Sequence, residues 1–106
     1  MTTFDNRETA FENKYAHDAD MQFRAQARRN KLLGLWAADL MGISGDDADA
    51  YARSVVIADL EEAGDEDVYR KVSADLTAKS VAIDTLRAKM SELMAIAKTQ
   101  ILTETE

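Results

Sequence analysis

With 106 residues, a formal net charge of −7 and neither cysteine nor proline, the chain has the length of one domain that folds without staples. It can build no disulfide framework, thiolate metal centre or cysteine nucleophile. Residues 1–31 hold six basic and five acidic side chains, leaving seven and fifteen for residues 32–106, so the body lacks the concentrated positive surface that phosphate contacts need and nucleic acid is not an expected partner.

No apolar h-region opens the chain and nowhere do about 18 apolar residues run together. Neither secretion nor direct membrane insertion is therefore expected, and the missing cysteines fit a reducing cytoplasm. Glycine occurs only at positions 34, 42, 45 and 64, and β-branched residues never alternate with polar ones over a useful length, so the elements should be long helices.

Residues 1–19 form a segment unlike the rest, its large side chains being Phe4, Phe11 and Tyr15. On a helix they share one face, but Thr2, Thr3, Asn6 and Asn13 are weak helix formers and the segment is short, so alone it should fray and become helical against a surface. Residues 20–106 are expected to form the bundle. Its first helix starts near Asp18 or Asp20 and runs to about Met41, with Met21, Ala25, Leu32, Trp36 and Leu40 facing inward and Trp36 as a core anchor. Arg24, Arg28 and Lys31 make a basic stripe on another face with Arg29 alongside. This is either a solvated surface or a dock for an acidic partner.

Gly42 suits a left-handed cap, and Ser44 with Asp47 three residues on opens a second helix whose inner face is Ala48, Tyr51, Ala52, Val55 and Val56. Asp46, Asp47 and Asp49 fit the positive end of that helix and lack the spacing of a calcium loop. After Gly64, Asp65 caps a third helix with Val68, Val72 and Leu76 inward, ending between Thr77 and Val81. The last begins near Asp84 or Thr85 and carries Leu86, Met90, Leu93, Met94, Ala97 and Ile101 as its inner stripe, with Thr103 to Glu106 loose. The expected fold is all-α, a compact four-helix bundle with a mobile N-terminal segment.

The sole histidine, His17, rules out the paired-histidine motifs of di-iron and zinc sites, and no phosphate-cradling glycine loop is present. No metal, cofactor or enzymatic activity is expected, and pattern leaves a binding or interaction module whose partner it does not name.

Three strings, TTFDNRETAFENKYAHD at residues 2–18, ARRNKLLGLWAADLMGISG at 27–45 and EEAGDEDVYRKV at 61–72, with RAKMSELM at 87–94, resemble the zeta inhibitor subunit of bacterial F-type ATP synthases, as found in alphaproteobacteria. Tyr15 and Ser80 stand where phenylalanine and glycine are expected. The resemblance implies a monomeric cytoplasmic regulator, peripheral to the inner membrane through the ATP synthase. Its N-terminal segment would enter the catalytic head as a helix at an alpha, beta and gamma interface and stop hydrolytic rotation. The inhibitory residues would then be Phe4, Arg7, Glu8, Phe11, Lys14 and Tyr15, with Arg24, Arg28, Arg29 and Lys31 as the docking candidates. Weak ATP or ADP binding is associated with the family. The alternatives are a helical interaction module, dimeric through the last helix, and a non-catalytic nucleotide binder.

Overall fold

The computed structural model describes residues 11, 13, 18–61 and 64–105. Within them lie four helices, α1 (Ala19–Leu40), α2 (Gly45–Glu61), α3 (Asp65–Ala78) and α4 (Leu86–Thr105), and no strand. Phe11 and Asn13 are helical as well. Of the expected inhibitory set, Phe4, Arg7, Glu8, Lys14 and Tyr15 fall outside the described residues, as does most of the segment expected to be mobile.

Asp18 begins α1, accepting a hydrogen bond from the Met21 backbone N–H at 3.1 Å while Asp20 sits in the first turn. Gly42, at φ 76°, ends it in a Schellman arrangement: Ile43 donates to the Ala38 carbonyl at 2.9 Å and Gly42 to that of Asp39 at 3.1 Å. The end of α3 repeats this geometry with a serine. Val81 donates to Leu76 at 2.9 Å and Ser80 to Thr77 at 3.0 Å, which holds Ser80 at φ 59°. A side chain there costs roughly 1–2 kcal/mol relative to glycine. Ser80→Gly is therefore expected to stabilise the fold by about 1 kcal/mol, after the added freedom of the unfolded chain is subtracted. An unchanged urea midpoint would show that Ser80 bears no strain.

Helix α1 packs against all three others, and against α2 and α4 most extensively. Its buried residues are Met21, Ala25, Arg29, Asn30, Leu33, Gly34, Ala37 and Ala38. The expected inner stripe is rotated from this: Leu32 and Trp36 are half-buried at the core's edge and Leu40 is exposed. The cause is proximity. Where α1 and α2 cross, a Cβ on Gly34 would stand 2.5 Å from the Ala52 Cα, so small residues occupy the contact and large ones are displaced to its flanks.

The main core joins Leu33, Ala37, Val55, Val68, Val72, Leu76, Leu86, Met90 and Leu93, with the inward faces of α3 and most of α4 as expected. Helix α4 continues through Thr105, so Thr103 and Glu104 belong to it and are not loose. The start of α3 is capped by Gly64, with Asp65 in its first turn.

Candidate docking surface on the first helix

The basic residues of α1 divide between surface and interior. Lys31 is exposed, and Arg24 is exposed with its Nε 3.1 Å from Asp20, a pair worth little in water. Arg28 reaches across to α4, donating from Nη1 to Gln100 at 2.8 Å and forming a two-pronged pair with Glu104 at 2.6 and 2.8 Å. This pair holds the Glu104 carboxyl below its ordinary range. A carboxylate depressed on folding contributes stability that is present above its unfolded pKa and lost as pH falls through the folded one. The Glu104 side-chain NMR titration should accordingly have its midpoint below that of a free glutamate, and Arg28→Ala should move it up. Identical midpoints in the two proteins would place the pair apart in solution.

Arg29 departs from the expected stripe. It is 2 % exposed, at the helical position shared by Ala25 and Leu33, and so does not belong to a docking surface. Its Nε donates to the Asn30 side chain at 2.7 Å and its Nη2 to Asp65 at 2.8 Å, while Asn30 donates to Asp59 at 2.9 Å and Asp59 accepts from the Gly64 N–H at 3.3 Å. The network ties α1 to the α2–α3 junction, and among the described residues it leaves no buried side-chain nitrogen or oxygen without a partner. Asp59 and Asp65, lying near the bend between two helices, were the available signal for a buried cation.

The exposed part of the stripe borders an open groove of about 530 Å³ lined by Phe23, Arg24, Arg28, Lys31 and Val56 among others. A second of about 430 Å³ adjoins it across Lys31 and Val56, with Arg53 on its rim. Phe23, 51 % exposed, was absent from the sequence-based candidates; its four-residue spacing to Ala27 and Lys31 along α1 was the signal that places it beside the basic side chains. An apolar ring set among cations presents a surface that suits another protein more than a small molecule. Among the described residues no group of histidine and acidic side chains is arranged to hold a metal, and no helix is long and apolar enough to cross a membrane.

Phe11 is fully buried. It belongs to a second, smaller cluster with Met21 and Ala25 of α1 and Ile101 and Leu102 of α4, against which half-buried Met94 packs.

Four helices with basic and apolar side chains side by side on the first of them, and an N-terminal aromatic packed against the first and last, define the class of small all-helical bundle proteins. A family model described as ATPase inhibitor subunit zeta matches residues 1–100, and the chain belongs to that family. It is thus kin to inhibitor subunits, which are not catalytic and which act on an ATPase. One solved relative, a solution NMR structure, is 58% identical and covers 79% of this chain and 98% of its own, with a TM-score of 0.70. No curated protein sequence matches the chain.

Proposed function

We propose that this protein is a regulatory inhibitor of ATP hydrolysis by the F-type ATP synthase, and that its N-terminal segment is the inhibitory part. In this reading Phe4, Arg7, Glu8, Phe11, Lys14 and Tyr15 enter an alpha, beta and gamma interface of the catalytic head as a helix and stop hydrolytic rotation. The bundle docks from outside through Arg24, Arg28 and Lys31, with Phe23 between them. Free protein is monomeric and cytoplasmic, reaching the inner membrane through the synthase. The observation that carries the reading is the family match, because it begins at residue 1 and takes in the N-terminal segment together with the bundle.

Adding the pure protein to the membrane-extracted ATPase head and measuring hydrolysis tests it. Stoichiometric inhibition is the expected result; no effect, with self-association in sedimentation, would favour an interaction module instead. Replacing Arg24 and Lys31 by alanine is expected to slow association about tenfold at low salt and to flatten its salt dependence, because exposed charges act mainly on encounter. Equal association rates for the two proteins across a salt series would exclude the basic face from docking.

A further inference from the structure

The burial of Phe11 has a cost for any protein that uses this side chain to bind a target. Phe11 is 0 % exposed, and the Met21, Ala25, Ile101 and Leu102 side chains that enclose it are 6 % exposed or less. They lie where α1 begins and α4 ends, apart from the main core, which takes its α1 and α4 residues from the second half of α1 and the first half of α4. Arg28, Gln100 and Glu104 brace the two helices alongside. An aromatic ring occupies this socket or a target interface, and never both.

We propose that the socket is an intramolecular latch: the free chain holds its own inhibitory segment through Phe11, and the ATPase head must win that ring from α1 and α4. The proposal rests on the N-terminal segment being the inhibitory part. Affinity for the head is then the intrinsic affinity multiplied by the fraction of chains with the latch open. Burial of one phenylalanine side chain corresponds to about 10- to 100-fold in that equilibrium. The latch sets how strongly the protein inhibits without altering any residue that touches the target.

Two socket variants test it. Leu102→Ala removes part of the wall, and Ala25→Leu fills the space where the ring sits; both spare the main core, and circular dichroism with Trp36 fluorescence verifies folding. Each is expected to inhibit hydrolysis about tenfold more tightly than the natural chain. The gain should vanish in a Phe11→Ala background, since a socket with no ring to hold has no effect on binding. Folded socket variants that inhibit no better than the natural chain, or that gain equally without Phe11, would overturn the latch.

A second measurement reads the latch without the ATPase. With 4-fluorophenylalanine at position 11, the fluorine signal of the free protein should be shielded from a soluble paramagnetic chelate and become accessible in Leu102→Ala. A signal fully accessible in the natural chain would overturn the latch whatever the inhibition assay shows. A shielded ring in a chain that leaves hydrolysis untouched would support the contact and overturn the inhibitory reading of the segment instead.

Discussion

Removal of residues 2–17 is expected to abolish inhibition of ATP hydrolysis and to leave the bundle folded. The bundle keeps what it needs: α1 starts at Ala19 on the Asp18 cap, and the main core is drawn from Leu33 onward. The truncated chain loses Phe11 from the smaller cluster, roughly 1.5–3 kcal/mol of burial, which a domain of ordinary stability survives. Hydrolysis assays at equal occupancy check the first half, and a cooperative thermal transition checks the second. A truncated bundle that still inhibits fully would move the inhibitory contact to the groove beside Phe23.

A milder change at the same place separates contributions. Replacing Phe11 and Tyr15 together by alanine removes two aromatic contacts, which for rings free in solution would weaken binding by about two to four powers of ten. Because Phe11 is already buried in the free chain, its loss also relieves the chain of the latch, and the expected effect falls to about a hundredfold.

The largest expected effect on stability is at Gly34. Its backbone lies so near α2 that even a methyl group meets the Ala52 Cα at 2.5 Å. Gly34→Ala sets a gain of about 1 kcal/mol in helix propensity against overpacking of about 1–3 kcal/mol, so it should be modestly destabilising. Gly34→Leu has the same propensity gain and several more atoms to place. The helices must part where Gly34 meets Ala52, and a loss of about 3 kcal/mol or more is expected. Urea denaturation of the two variants measures the series; a Gly34→Leu midpoint equal to the natural one would mean that α1 and α2 do not approach as described. By contrast Trp36, a core anchor by its hydropathy, is half-buried, and Lys89 lies 5.7 Å from its ring centre. Trp36→Ala should therefore cost less than the 3–5 kcal/mol typical of a fully enclosed tryptophan.

Much of this architecture was legible in the residues. Asp18 and Gly42 mark helix ends because capping depends on one or two local side chains and on φ, which neighbours in sequence largely decide, although the cap of α3 fell on Gly64 one residue before the expected Asp65. The inward stripe of α3, Val68, Val72 and Leu76, was also readable, because that helix has its apolar residues at one clean spacing. So was the family, carried by long strings that include the N-terminal segment.

What the tertiary structure decided was which face of α1 lies inside. A helix packed against three others is sorted by size as well as by hydropathy, so Gly34 took the crossing with α2 and Ala37 and Ala38 were buried, while Leu40 was left outside. Arg29 went inside because Asn30 and Asp65 converge on its guanidinium, and Asp65 lies on another helix, where no periodicity within α1 reveals it. The place of Phe11 depends likewise on Ile101 and Leu102, at the opposite end of the chain. Periodicity assigns a residue to a face of its own helix, whereas burial requires a partner on another, and only the packed bundle supplies that partner.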